Sequence, residues 1–271
     1  MKKKKRYMLR MMSLAVVSLL LFAGCSGENK TSEETTYEKI TIGSDRFEPY
    51  IFQDDDGEFT GVDVELATQA LHRMGYEPEF RQIVWEEKKD LLADGTVDCL
   101  WGCFSMNGRE TEYQWAGPYL YSSQSVVVRK NSDIHKISDL SGKVVALQET
   151  GKAEEYLLYP KDANVPDVEK VYAFSNMEEV YGALRKNYVE AICGHESALN
   201  SFVSTAPDEY RILDESLFSS KLGVAFSKEY DEAFVQQLTD TLNEMLEDGT
   251  TKDIVEKYGL NSEKALAGGN E

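Results

Sequence analysis

From Gly61 to Gly75 the chain reads GVDVELATQALHRMG, with Val62, Leu66, Ala70 and Met74 recurring at every fourth position. An apolar stripe of that spacing predicts a helix that lays one face on a neighbouring layer. Short β-rich runs surround it. Lys39 to Ser44 precedes it, and a strand near Glu79 to Val84, a helix near Lys88 to Ala93 and a strand at Val97 to Trp101 follow. From Lys143 the rhythm restarts as strand KVVAL, a helix from about Lys152 to Leu158, strand VEKVYAF, helix MEEVYGALRK and strand YVEAICG. Ser125 to Arg129 and Leu222 to Phe226 are further β-rich runs at the edges of this second unit. Phe234, Leu238, Leu242 and Met245 mark a long late helix, and TTKDIVEKYGL is expected to end the ordered chain. The alternation predicts α/β architecture with open sheets, and no internal sequence repeat accompanies it.

The first residues speak to compartment. MKKKKRYMLR carries six basic residues and no acidic one, and the apolar run Met11 to Phe22 is too short to span a bilayer but suits the core of a secretory signal. It closes on LFAGC, which resembles a bacterial lipobox, with cleavage after residue 24 and a diacylglycerol on Cys25. The alternatives are an ordinary signal peptide with an incidental cysteine, or an uncleaved anchor. Acyl chains would hold the protein on a membrane surface without spanning it. SGENKTSEETTY is polar and without apolar period, so residues 25–37 read as a lipidated cysteine and flexible tether.

Charge and motif content exclude several classes. The chain has 29 basic and 48 acidic residues; the leader accounts for six of the basic ones, leaving 23 against 48, a formal −25. Nucleic-acid phosphates demand basic patches, so no nucleic acid is expected as a partner. His72, His135 and His195 lie about sixty residues apart, without metal-ligand spacing, and there is no P-loop or GxGxxG. No cofactor and no metal are implied.

The pieces FTGVDVELA, GTVDCLWGCFSMNGR, WAGPYLYSSQSVVVRK and LEDGTTKDIVEKYG, in that order and spacing, resemble bacterial solute-binding protein family 3. The resemblance covers about Ile40 to Gly259. It implies a two-lobed type 2 periplasmic-binding-protein fold, each lobe an open α/β sheet, joined by two crossover strands. Lobe one would comprise residues 38–126 and 224–261, lobe two residues 127–223, and 262–271 a polar tail. It further implies an extracytoplasmic lipoprotein, anchored on the outer face of the cell membrane, monomeric, that delivers a carboxylate ligand to the permease of an ABC transporter.

The same resemblance assigns candidate ligand contacts. Arg109 matches the arginine that grips a ligand carboxylate, a task suited to the rigid guanidinium fork. Ser105 matches a hydroxyl that, with backbone N–H groups around Cys103, completes the shell. Asp45 and Phe47 match a polar and an aromatic ligand-facing position, and Trp85 a second aromatic across the pocket. In QETGKAEEYL, Thr150, Gly151 and Lys152 would offer N–H groups at a helix N-terminus, with Lys152 either adding charge or facing solvent. The carboxylate expected after VEAICG to bind an α-amine is replaced by His195, followed by Glu196. Either Glu196 moves in, or the ligand is not a standard α-amino acid. Cys99, Cys103 and Cys193 read as unpaired, because a disulfide between lobes would lock a hinge. The predicted function is capture by hinge closure without covalent chemistry, most simply of a polar amino acid. Two rivals stand beside it: an enzyme of the cyclohexadienyl dehydratase type, with His195 and Glu196 as acid and base, and a sensory ligand-binding component.

Overall fold

The computed structural model describes residues 37–160 and 164–267. The leader, Cys25 and the tether up to residue 36 lie outside the described residues. The first half of the chain builds strands β1 (Glu38–Ser44), β2 (Phe52–Gln53) and β3 (Phe59–Thr60), helix α1 (Val62–Met74), strand β4 (Tyr76–Gln82), helix α2 (Lys88–Asp94) and strands β5 (Cys99–Leu100) and β6 (Gln114–Arg129). Next come β7 (Val144–Gln148), α3 (Lys152–Leu158), β8 (Lys170–Phe174), α4 (Met177–Arg185), β9 (Ala191–His195) and α5 (Glu196–Thr205). The chain returns through β10 (Tyr210–Ile212), β11 (Phe218–Phe226), α6 (Glu232–Glu247), α7 (Thr250–Lys257) and α8 (Ser262–Leu266).

One continuous sheet runs in the order β4-β1-β5-β11-β6-β9-β7-β8, with β10 added to β6, and β2 and β3 form a small separate hairpin. Each end of the sheet is parallel: β1 pairs β4 and β5, and β7 pairs β8 and β9. Parallel neighbours require helical crossovers on the sheet faces, and the alternating apolar stripes supply them. In the middle, β6 and β11 run antiparallel from Gln114↔Phe226 to Gln124↔Phe218. Beyond that, residues Gln124–Val128 of β6 pair β9. The two long strands therefore carry the chain from one parallel block to the other.

Burial follows the stripes. Leu66, Ala67, Ala70 and Leu71 of α1 meet Phe234, Leu238, Leu242 and Met245 of α6 in one core, while Val126, Val145, Leu147, Cys193 and Leu157 form another under α3. A backbone requirement fixes the start of α1. Gly61 has φ 126°, and a Cβ there would lie 2.2 Å from the Tyr50 carbonyl oxygen, so only glycine fits.

The structure differs from the expectation in three places. The β-rich run Ser125–Arg129 is the tail of a 16-residue strand whose earlier part, QWAGPYLYSSQ, hides its extension behind Pro118, two serines and a glutamine. Leu222–Phe226 likewise belongs to the longer β11, with a register break between Leu222 and Val224. Order does not end at Leu260. Asn261 accepts a hydrogen bond from the Lys264 N–H at 3.0 Å, starting α8 inside the expected polar tail, and Ala265 is buried beneath it.

Candidate functional site

Four strands deliver their carboxyl ends to one cavity, where side chains leaving a parallel block naturally converge. Asp45 follows β1, the Gly102–Arg109 loop follows β5, Gln148 ends β7 ahead of Thr150, and His195 ends β9. Phe47 and Trp85 add aromatic walls, each less than a tenth exposed. A cavity of about 50 Å³ lies between these groups. Ten of the residues singled out in the sequence line this space: Asp45, Phe47, Trp85, Cys103, Ser105, Arg109, Thr150, Gly151, Lys152 and His195.

Glu196 is the exception. It is the first residue of α5, and a helical step of about 100° turns it away from the face His195 uses. Its carboxylate accepts a hydrogen bond from Lys264 Nζ at 2.8 Å, and it borders a different cavity with Tyr50, Ser122 and Tyr258. Of the two alternatives at this position, Glu196 moving in or a ligand that is not a standard α-amino acid, this placement does not bring Glu196 to the cavity.

Arg109 is wired into both sides of the cavity. Its Nη1 donates to the Ser105 carbonyl at 3.2 Å and its Nη2 to the Thr150 carbonyl at 3.0 Å, while the guanidinium rests 5.2 Å from the Phe104 ring centre. These contacts fix its plane and leave further N–H groups for a ligand. Burial pulls its pKa down, an effect that nearby Glu155 opposes. Asp45 accepts a hydrogen bond from Gln148 Nε2, and enclosure pushes its carboxyl up to about 6 against that bond and the charge of Lys88. Lys88, 4 % exposed, donates to Trp85 O at 3.1 Å and Thr150 Oγ1 at 2.8 Å. Desolvation lowers it to about 8, helped by Arg109. Ser197 Oγ donates to Tyr50 OH at 2.8 Å. The Arg109–Thr150, Asp45–Gln148, Lys88–Thr150 and Ser197–Tyr50 bonds link the β1–β5 block to the β7–β9 block, so the cleft is closed.

Several expected N–H donors are already engaged. The Cys103 N–H donates to Asp63 Oδ2 at 2.7 Å. That of Thr150 donates to Glu154, and that of Gly151 to the Gln148 carbonyl at 3.3 Å. In this structure these three N–H groups are therefore satisfied within the protein. Lys152 Nζ pairs with Glu155 and lies against Gly108 rather than pointing to solvent. Ser105 Oγ bonds Ser220 Oγ at 3.2 Å, at the bridge where Ser105 meets Leu222 of β11.

His195 is 8 % exposed, its ring set edge-on to Phe47 at 5.8 Å, and its Nδ1 has no partner among the described residues. Burial first, and the Arg109 charge second, lower its pKa to about 3. It is a neutral imidazole facing the cavity. Cys99, Cys103 and Cys193 are buried free thiols. Burial raises all three, Cys193 to about 12, so none is a thiolate. Among the described residues no group of His, Cys, Asp or Glu could hold a metal, and no helix is long and apolar enough to cross a membrane. Sequence reasoning missed Gln148, Lys88 and Asp63. Gln148 had a usable signal, because it is the last residue of an apolar strand ending at the same edge as Asp45.

A second space of about 370 Å³ adjoins the first through Asp45, Phe47, Trp85 and Met177, and reaches Val84, Tyr181 and Phe202. Two α/β blocks joined by long crossover strands, shut over a pocket with opposite charges at strand ends, define a ligand-enclosing binding protein. The chain belongs to the bacterial extracellular solute-binding proteins, family 3, whose family model matches residues 40–261. It is similar to the L-cystine-binding protein TcyJ of Escherichia coli strain K12, with 27% identity over 257 residues, 90% of this chain and 93% of the relative. It is also similar to the L-cystine-binding protein TcyA of Bacillus subtilis strain 168, with 26% identity over 259 residues, covering 90% and 94%. Among solved structures, an ancestral arginine-binding protein bound to arginine superimposes with TM-score 0.73 and 27% identity over 82% of this chain and 98% of that one. A substrate-binding protein of an ABC uptake transporter from Streptococcus pneumoniae, with bound histidine, gives 0.75 and 23% over 84% and 94%. The fold is the two-lobed type 2 fold of these neighbours. The family makes the chain an extracellular solute-binding protein.

Proposed function

We propose that this protein captures a small zwitterionic amino acid outside the cytoplasm and presents it, enclosed, to the permease of an ABC importer. The observation that carries this reading is the placement of one half-buried guanidinium, Arg109, and one carboxylate, Asp45, in the same cavity. Arg109 takes the ligand carboxylate with Ser105 beside it. Asp45, rather than Glu196, takes the ammonium, and Gln148 yields its hydrogen bond to do so. The neutral His195 offers Nδ1 as an acceptor at the same end of the ligand. Phe47 and Trp85 sandwich the side chain, and a long side chain continues into the adjoining space past Met177.

Relatives named for L-cystine and a neighbour bound to arginine support an extended polar amino acid over a compact one. The neutral thiols of Cys103 and Cys193 suit even a disulfide cargo, because a thiol does not attack sulfur as a thiolate does. In this reading residues 38–126 with 224–261 form one lobe, 127–223 the other, Thr150 and Gly151 shape the second lobe's wall, and Lys152 adds charge beside Gly108. Lipidation of Cys25 places a monomer on the outer membrane face, with residues 26–37 as tether.

A thermal-shift screen of mature protein, unfolded and refolded to strip carried ligand, tests the reading. L-cystine, L-arginine, L-glutamine and L-histidine are compared with amine-free carboxylic acids. Stabilisation by at least one amino acid and by none of the amine-free acids is expected. Stabilisation only by amine-free acids, or by nothing, would remove the zwitterion assignment.

A further inference from the structure

A buried carboxylate stands behind the wall of the cavity. Asp63 lies in the first turn of α1 and is 1 % exposed. Its Oδ2 accepts both the Cys103 N–H at 2.7 Å and the Tyr119 hydroxyl at 2.9 Å, while Oδ1 is buried with no partner among the described residues. Cys103 has φ 51°, a left-handed conformation that an L side chain adopts only under constraint. Its neighbour Gly102 is pressed so closely on β1 that a Cβ would fall 1.9 Å from Ser44 Oγ. The Asp63 bond is what holds this bend. From it the chain passes directly to Phe104, on which the Arg109 guanidinium lies, and Ser105, whose carbonyl accepts from Arg109. Rotation of the Cys103 peptide would move both anchors of the arginine.

We infer that Asp63 is a positioning residue for the carboxylate-binding loop, and that capture of a ligand carboxylate is accompanied by uptake of a proton on Asp63. The inference rests on the reading of Arg109 as the carboxylate site. An arriving carboxylate places a negative charge on the far side of the Cys103 peptide from Asp63. The ionisable groups that face Asp63 are Tyr50, Tyr119 and the Cys103 thiol, all held neutral by burial, so no cation screens the repulsion there. Asp45, at the end of β1, answers to the ligand ammonium instead. A proton on Oδ1 removes the repulsion and leaves both Oδ2 bonds intact, so the bend survives protonation. Burial also brings the Asp63 carboxyl up to about 7, within reach of small changes in its field. The sign is opposite at Asp45, where an ammonium favours the ionised form and binding releases a proton.

The test is calorimetry on the mature protein with whichever of L-cystine, L-arginine and L-glutamine binds, at pH 7 in buffers of different ionisation enthalpy. Wild type is expected to take up a fraction of a proton at Asp63, and its affinity to weaken by about three- to tenfold from pH 6 to pH 8. Asp63→Asn keeps an acceptor for Cys103 and carries no charge. It should lose the uptake, show only release from Asp45, and bind with an affinity that no longer weakens with rising pH. Tyr119→Phe removes one donor from Asp63 and should move the uptake to higher pH, a response that a merely structural residue would not give. Unchanged uptake in Asp63→Asn, or binding by wild type with no proton uptake that this substitution alters, overturns the linkage while leaving the zwitterion reading in place. Failure of every carboxylate amino acid to bind a folded wild-type protein overturns both.

Discussion

Replacing Arg109 by alanine removes the cation that the ligand carboxylate is proposed to meet. At a charge separation of about 4 Å and an effective dielectric constant of about 20, the pair is worth about 4 kcal/mol. Truncating one member of an enclosed, hydrogen-bonded charge pair costs about 2–5 kcal/mol, because the other is left without a partner. That corresponds to an affinity loss of about 30-fold to several-thousandfold. The substitution also breaks the 3.0 Å bond to the Thr150 carbonyl, one of the ties that hold the cleft shut, which moves the loss toward the upper end. Stability should change little, since the chain gives up a desolvated charge together with its bonds. Arg109→Lys keeps the charge but not the fork, and should fall between wild type and alanine. Titration calorimetry on refolded protein, with circular dichroism to confirm the fold, gives the answer. Affinity within threefold of wild type in a folded Arg109→Ala protein would refute the carboxylate assignment.

Three further outcomes follow from the geometry. Asp45→Asn should weaken amino-acid binding by about tenfold or more while leaving amine-free acids as weak as before, read by calorimetry on matched ligand pairs. Because burial depresses His195 to about 3, the benefit of its neutral ring is complete above the unfolded value near 6.5 and is lost as pH falls toward 3. Urea titrations from pH 7 to pH 4 should therefore show wild type losing stability relative to His195→Gln, and parallel profiles would refute the assignment. Gly61→Ala places a Cβ 2.2 Å from the Tyr50 carbonyl at φ 126°, and should cost about 1–3 kcal/mol in the same assay.

The amphipathic stripe of α1 and the six parallel strands were legible because their residues alternate or recur with the period of the element they form. The central strands were legible only in part, since Gly117, Pro118, Ser122 and Ser123 interrupt the apolar signal of β6, and its extension is decided by pairing with β11, about a hundred residues away in sequence. At the site, Arg109, Asp45 and Trp85 were singled out by the resemblance to solute-binding family 3, whose motifs they match. Glu196 misled because adjacency to His195 in sequence becomes divergence once a helix begins between them. Asp63 and Lys88 were hidden by their type: acidic and basic residues on helices read as solvated, and only tertiary contact shows Asp63 bent under Cys103 and Lys88 tied to Thr150. The commitment of the Cys103 and Thr150 N–H groups to Asp63 and Glu154 was likewise a matter of folded geometry.

The central claim is that Arg109 and Asp45 together read the two ends of a zwitterion. Calorimetric titration of wild-type protein with the amino acid that stabilises it most, beside its deaminated and its decarboxylated analogue, tests that claim directly. Tight binding of the amino acid and a loss of at least about thirtyfold for each analogue is the predicted result. Equal affinity for either analogue would contradict it.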